Sequence, residues 1–319
     1  MSTGPVLVVS RVDDVTADEV VAELNRRRVP VVRLDPGDFP GSVSVSVRAD
    51  GELSGTVVTE SRSVEVAAVR SVYWRRPSPY AAPRGVGGQD ARWCVEEARY
   101  GVGGVLAALP GAHYVNHPWR NRDAEYKPAQ LALAGRCGFD VPPTLLTNNL
   151  DDARAFAREH GPVIYKPLRA TDYCDDAGRA LTVWVEEVDP GELHEGVGAT
   201  MHQFQKRVRS VADLRVTAVG EHVFTVRIDG SRGLDWRRHY DALSYALVDT
   251  PPALEKAVHA YMDAAGLAFG AFDFGLDAEG RAWWYECNPN GQYAWFPPSI
   301  TAPIVSAVAD QLQYAGEPT

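Results

Sequence analysis

Residues 270–288, GAFDFGLDAEGRAWWYECN, read as two apolar strands around a tight turn, and no other stretch restricts the fold as much. If Glu279-Gly280 is a two-residue loop, Ala278 faces Arg281 and Asp273 falls directly opposite Glu286. A four-residue loop also keeps Asp273, Glu286 and Asn288 on one face, whereas an odd-length loop separates them. Directly opposed side chains have Cβ atoms roughly 4.5–5.5 Å apart, and like charges there are destabilising unless something offsets them. Carboxylate and amide oxygens with no nearby histidine or thiolate suit a hard cation, and Mg²⁺ in such sites commonly adds water and substrate phosphates. The hairpin therefore predicts a magnesium site made by Asp273, Glu286 and Asn288, working with a nucleotide. The alternative is a pair of solvated residues on an exposed sheet face, but Phe272, Phe274, Trp283, Trp284 and Tyr285 around them argue for burial.

A chain of 319 residues has room for about two domains, and 45 % apolar content is ordinary for a globular protein with a sizeable core. The N-terminus, MSTGPVLVVSRVDDV, lacks a basic region followed by an apolar core, and no run of about 18 apolar residues occurs anywhere. A cytoplasmic protein, not a membrane one, is expected. A net charge of −10 argues against general nucleic-acid binding. Cys94, Cys137, Cys174 and Cys287 show neither C-x-x-C nor zinc-site spacing, so ordinary thiols are expected.

GPVLVVS, TADEVVAELNRRR and VPVVRLD read as strand, helix and strand, with Thr16 and Glu19 spaced as a capping box. No G-x-G-x-x-G joins the first strand to its helix, which removes the dinucleotide-binding reading. SVSVSVRADGELSGTVVT alternates around a turn as a hairpin, and SVYWRRPSPY is a strand running into a proline-rich loop. The GVGG strings at 85 and 101 read as punctuation flanking a helix. LPGAHYVNHP breaks the pattern near residues 110–120, where a domain boundary is expected. NRDAEYKPAQLALAGRCG reads as a helix interrupted early by Pro128 and stopped by Gly138, and DDARAFAREHG as a short helix stopped by Gly161. TMHQFQKRV and DLRVTAVGEHVFTVRID supply strands, and PALEKAVHAYMDAAG a helix.

Lys166 lies within the apolar strand GPVIYKPL, where an ammonium is costly unless an anion neutralises it or the side chain reaches the surface. Lys127 lies on the preceding helix. The order of lysine on a helix, lysine on a strand, a linker opening with Gln205, Asp213 with Arg215 two later, Asp273, and finally Glu286-x-Asn288 resembles the ATP-grasp superfamily. SVYWRRPSPY, FQKRVRSVADLRVTAVG, LDWRRHYD and YECNPNGQY look most like the ATP-grasp maturases of ribosomal peptides, the graspetide or microviridin-type synthetases.

That resemblance implies a mixed α/β (α+β) ATP-grasp fold: two lobes clasping ATP, preceded by a pre-ATP-grasp α/β domain. The expected divisions are 1–115 for the N-terminal domain, 116–204 for the central lobe and 205–319 for the C-terminal lobe. By the same resemblance Lys127 and Lys166 contact ATP phosphates, Gln205, Lys206, Arg207 and Val208 form the hinge against adenine, and Asp213 holds the ribose. Relatives often carry Gln-Glu where this chain has Gln205-Lys206, a departure at the adenine edge. The segment RATDYCDDAGRA has only Gly178 where many relatives carry a glycine-rich flap, and a hairpin leading into LTVWVEEV is expected there. Arg215 and Arg237 are implied as catalytic groups at the moving phosphoryl, two Mg²⁺ ions as cofactors, and Arg75, Arg76 and Arg238 as groups for acidic substrate residues. The last three are equally readable as solvated surface charges.

The activity so implied is phosphorylation of Asp or Glu side chains of a precursor peptide by ATP. Attack by Ser, Thr or Lys then closes ester or amide rings, with no protein nucleophile needed. Its partners are a leader peptide and an acidic core, with a groove between the N-terminal and central domains as the expected leader site; a homodimer is left open. Two other readings keep the same site: a stand-alone ligase of free amino acids or small acids, and a non-catalytic ATP-binding protein. The retained Asp273, Glu286 and Asn288 speak against the last.

Overall fold

The computed structural model describes residues 4–169, 173–230, 233–234 and 242–314. The aliphatic run β1 (Val6–Val9) is buried at every position, as a strand covered on both faces must be. It is followed by α1 (Val15–Arg26) and β2 (Val31–Leu34), then by the antiparallel strands β3 (Ser44–Asp50), β4 (Glu52–Val58) and β5 (Ser63–Glu65). Next come β6 (Ser71–Trp74), α2 (Gly88–Ala107) and β7 (His113–Val115). A parallel sheet forms in the order β2-β1-β6-β7, and β3-β4-β5 make a separate sheet.

Two local expectations are corrected here. The cap of α1 is Asp14, whose carboxylate accepts the Ala17 amide at 3.1 Å, while Thr16 lies inside the helix and is buried. The second GVGG string lies within α2 and does not flank it. Ala98, Val102 and Leu106, spaced four apart, bury one stripe of α2 and hold it helical despite the glycines.

Two helices follow, α3 (Pro118–Ala124) and α4 (Lys127–Cys137), where one interrupted helix was expected. The break falls at Tyr126, and Pro128 starts α4 because a residue with fixed φ and no N–H is tolerated in a first turn. The central lobe then contains β8 (Thr144–Thr147), α5 (Leu150–His160), β9 (Val163–Lys166), β10 (Tyr173–Cys174), β11 (Ala180–Leu181), β12 (Glu186–Val188) and β13 (His202–Lys206). The main sheet runs β12-β9-β13-β8, and β10 pairs with β11 as the expected flap hairpin.

The C-terminal sheet, β16-β15-β14-β17-β18, is antiparallel and built from β14 (Ala212–Val219), β15 (His222–Asp229), β16 (Ser244–Val248), β17 (Phe269–Leu276) and β18 (Ala282–Asn288). Helix α6 (Pro252–Ala265) and α4 cover one face, around Phe139, Tyr261, Phe272, Phe274 and Trp284. The other face packs on α7 (Pro298–Gln313), whose Ile304, Val308 and Leu312 share a core with Val20 and Leu24 of α1. One continuous apolar core therefore ties the N-terminal sheet to the C-terminal lobe, and Asn116 reinforces that seam. Its amide nitrogen donates to the carbonyls of Phe269 and Pro289, and its oxygen accepts from the Ala268 and Phe269 amides. Among the described residues no helix is long and apolar enough to cross a membrane.

Candidate active site

Asp273 and Glu286 are direct cross-strand partners, but the route to that register differs from the sequence expectation. The strands part at Leu276 and Ala282, leaving an odd loop of residues 277–281. Asp277 organises it: Oδ1 accepts from the amides of Glu279 and Arg281, and Oδ2 from the Trp283 indole at 2.8 Å. By itself this loop would set Asp273 opposite Tyr285. A β-bulge cancels the offset, because Phe274 pairs with Trp284 and Asp273 with Glu286, so Tyr285 has no opposite number. Trp284 and Cys287, three residues apart, both face the core, while Tyr285, Glu286 and Asn288 line a cleft.

That cleft, about 930 Å³, lies between the central and C-terminal sheets and brings together Lys127, Lys166, Gln205, Arg207, Val208, Asp213, Asp273, Glu286 and Asn288. Lys127, at the first turn of α4, donates to the Pro167 carbonyl at 2.9 Å and lies 3.1 Å from a Glu286 oxygen, so it spans the cleft from one lobe to the other. Lys166 ends β9 rather than occupying its centre. It is 8 % exposed, with its ammonium 5.2 Å from the centroid of the Tyr285 ring. Arg215 is buried one strand over and donates through Nη1 to both oxygens of Asp273 at 2.8 Å.

The hinge residues divide. Gln205 is fully buried and donates to the Thr144 hydroxyl at 2.9 Å, whereas Lys206 points its side chain to solvent and is not part of the cleft wall. The amides of Lys206 and Arg207 already donate to the carbonyls of Pro143 and Pro162, so those two donors are committed. Arg75 lies away from the cleft, at the seam with the N-terminal sheet, and Arg76 is half-buried beside it. Arg237 and Arg238 lie outside the described residues.

Sequence reasoning missed the supports. Gln130 holds β18 by donating to the Cys287 carbonyl at 2.9 Å and accepting the Cys287 amide at 3.0 Å, a buried contact no spacing rule signals. Tyr285, which the sequence shows only as an aromatic, lies beneath Lys166 in the cleft, and burial pushes its phenol's pKa upward. A clue lay in Gly275, since a Cβ there would sit 2.0 Å from the Tyr285 hydroxyl oxygen. Gly275→Ala is expected to cost about 1–3 kcal/mol by overpacking and to shift the ring off Lys166. Thermal denaturation together with the affinity for a non-hydrolysable ATP analogue checks this; unchanged values of both would remove the contact from the site.

The donor set fits magnesium. No cluster of three His, Cys, Asp or Glu side chains occurs among the described residues, so a metal here would use two carboxylates and the Asn288 amide oxygen, an all-oxygen set for a hard ion. Each carboxylate is balanced by a cation, Asp273 by Arg215 and Glu286 by Lys127, which is how paired acids are kept from repelling.

Residues 5–122 match the family described as the MvdD pre-ATP grasp domain. No curated protein matches the chain. Among solved structures, the macrocyclase MdnC bound with precursor peptide MdnA from Microcystis aeruginosa MRC is 26 % identical at TM-score 0.87, covering 98 % of this chain and 100 % of that one. A Chryseobacterium gregarium RiPP-associated ATP-grasp ligase in complex with ADP and a leader and core peptide is 23 % identical, with TM-score 0.88 and 98 % of both chains covered. The ATP-grasp ligase PsnB, complexed with a phosphomimetic variant of its minimal precursor, Mg and ADP, is 22 % identical at TM-score 0.75, over 96 % of this chain and 98 % of that one. The lobes, the cleft between them and the domain in front of them thus have one common description: the chain has the ATP-grasp fold, opens with an MvdD-type pre-ATP-grasp domain, and is similar along its length to the ATP-grasp ligases of ribosomal peptides.

Proposed function

We propose that the chain is an ATP-dependent ligase that joins acidic side chains of a ribosomal precursor peptide to hydroxyl or amine side chains of the same peptide, a graspetide synthetase. The observation that carries this reading is the pairing of Asp273 with Glu286 in the cleft that also holds Lys127 and Lys166. The whole-length similarity to MdnC, described with its precursor peptide, supports the choice of a peptide over a free acid. The N-terminal domain spans 1–115, and the lobes divide near 204, with β13 of the central sheet crossing that point.

Lys127 and Lys166 bind the ATP phosphates from the central lobe, Gln205, Arg207 and Val208 flank adenine, and Asp213 accepts the ribose hydroxyls. Asp273, Glu286 and Asn288 hold magnesium, which when bound neutralises charge on the phosphates and on the moving phosphoryl group. Arg215 orients the acceptor carboxylate. An oxygen of that carboxylate bonds to the γ-phosphorus as the bond to ADP breaks; a hydroxyl or amine then attacks the acyl carbon, phosphate leaves, and the nucleophile loses its proton to solvent. Each ring removes one water from the peptide. Positioning and charge stabilisation carry the reaction, with no covalent enzyme intermediate. Cys287, buried with its thiol pushed up by desolvation, is not a nucleophile. We place the activity in the cytoplasm, where ATP and new precursor peptides are at hand.

The test uses a short candidate precursor peptide containing Ser, Thr or Lys and clustered Asp and Glu, sought in the reading frames beside this gene. Incubated with the protein, ATP and Mg²⁺, it is expected to lose one water mass per ring. An unchanged peptide, with ATP-dependent coupling of free amino acids instead, overturns the reading.

A further inference from the structure

The strand that carries Glu286 and Asn288 runs directly into a turn, in which the Gly291 amide donates to the Asn288 carbonyl at 3.2 Å. Inside that turn the Asn290 amide donates to Oδ1 of Asn288 at 2.9 Å. An asparagine side chain presents an oxygen on one side and an NH2 on the other, and only the oxygen can serve a cation. The Asn290 amide selects between them, because a flipped side chain would set N–H against N–H. Oδ1 keeps a second lone pair for the cleft, which Asn288 lines. Where that oxygen points therefore depends on where the turn holds the Asn290 amide.

Three side chains from outside the hairpin hold the turn. Asn116 donates to the Pro289 carbonyl at 3.0 Å, and Asn121 of α3 donates to Oδ1 of Asn290 at 3.2 Å. Arg75, 3.4 Å from Asp14, donates to the Gly291 carbonyl at 3.1 Å. The asparagines form one directed line. Oδ1 of Asn116 takes the amides of Ala268 and Phe269, so its nitrogen faces Oδ1 of Asn121, at 3.0 Å. With its own oxygen committed, Asn121 has only its nitrogen to offer Asn290. Asn116 is 2 % and Asn121 3 % exposed, so reversing either amide would bury like groups against each other with no water to separate them. Both lie within residues 5–122, the stretch that matches the pre-ATP-grasp family, and neither is part of the cleft wall. The chain that leaves α3 goes on to Lys127, which meets Glu286. One short segment thus reaches the end of the hairpin at both Glu286 and Asn288.

We infer that Asn121 is a positioning residue for the metal site: through Asn290 it fixes the turn that aims the side-chain oxygen of Asn288 at the cation. This rests on the magnesium reading of Asn288 above. It gives the N-terminal domain a share in building a site that belongs to the lobes. Partners that orient a metal ligand from behind typically carry about tenfold to a hundredfold of metal affinity.

The probe is Mn²⁺, an oxygen-seeking stand-in for Mg²⁺, titrated into the full chain loaded with ADP while the free ion is counted by its EPR signal. Asn121→Ala is expected to weaken Mn²⁺ binding about tenfold, and Asn290→Ala by a similar factor. Asn290 is half-buried, so its truncation keeps the test open if the buried Asn121 variant does not fold. Because both act through one contact, the double variant should lose no more than either alone. Asn290→Asp keeps an acceptor for Asn121 and should bind Mn²⁺ at least as tightly as the wild type. ADP affinity measured in chelator should be the same in every variant, a separation that a general loosening of the fold would not give. Wild-type Mn²⁺ affinity in the two alanine variants, additive losses in the double variant, or an equal loss of ADP affinity in chelator would each overturn the inference. Asn288→Ala separates it from the reading beneath. If that variant loses Mn²⁺ while Asn121→Ala and Asn290→Ala do not, the role of Asn121 alone is refuted; if it binds Mn²⁺ as the wild type does, the ligand assignment of Asn288 is refuted.

Discussion

Glu286→Gln is expected to lower ATP-dependent turnover by about a hundred- to a thousandfold, the range seen when a preorganised electrostatic contact to a reacting group is removed. Glutamine keeps the shape of the side chain and its place in the ladder opposite Asp273. It removes the charge that a hard cation requires, leaving one carboxylate and one amide where there were two carboxylates. Stability should change little, because Lys127 keeps its bond to the Pro167 carbonyl and the neutral glutamine no longer places a like charge opposite Asp273. Steady-state turnover across a magnesium titration checks this, and the variant should need far more Mg²⁺ to reach its lower plateau. A wild-type rate with wild-type magnesium dependence would remove Glu286 from the metal site.

Arg215→Gln should instead unfold easily. It leaves Asp273, 8 % exposed, without its counter-charge in a sheet packed on both faces, and breaking such a pair from one side costs about 3–5 kcal/mol. For a chain of this size that is several degrees in melting temperature. The same geometry predicts partial recovery by Mg²⁺, which would give Asp273 a new positive partner. Melting curves in chelator and in excess Mg²⁺ should therefore separate more for the variant than for the wild type. Coincidence of variant and wild type in both conditions would show that the pair carries no such load.

Much of this was legible because it depends on local chemistry. Period-two and period-3.6 patterns locate many of the strands and helices, though not β16 or α7, and glycines at 138 and 266 stop helices where their left-handed backbone is needed. The facing acids were paired correctly through a wrong loop length, because the bulge at Tyr285 offsets the odd loop. What was hidden involves distant partners. Nothing near Asn116 in sequence foretells its bonds to residues 268, 269 and 289, and nothing near Gln130 foretells its grip on Cys287. The difference between Arg75 and Arg76 likewise depends on Asp14 and Gly291, brought in by separate elements. The five-residue loop was missed for a local reason, the side chain of Asp277 outcompeting the two-residue turn that Glu279-Gly280 suggests.

That loop and the bulge at Tyr285 behave as two errors that cancel. Shortening the loop by one residue, or flattening the bulge, would each rotate the cleft-facing carboxylates out of step, while doing both would restore them. The end of this hairpin is therefore a coupled pair of single-residue insertions. In laboratory evolution its length can drift only in compensated steps, and a designer can shorten it by two residues, one from each strand connection, without moving the acids apart.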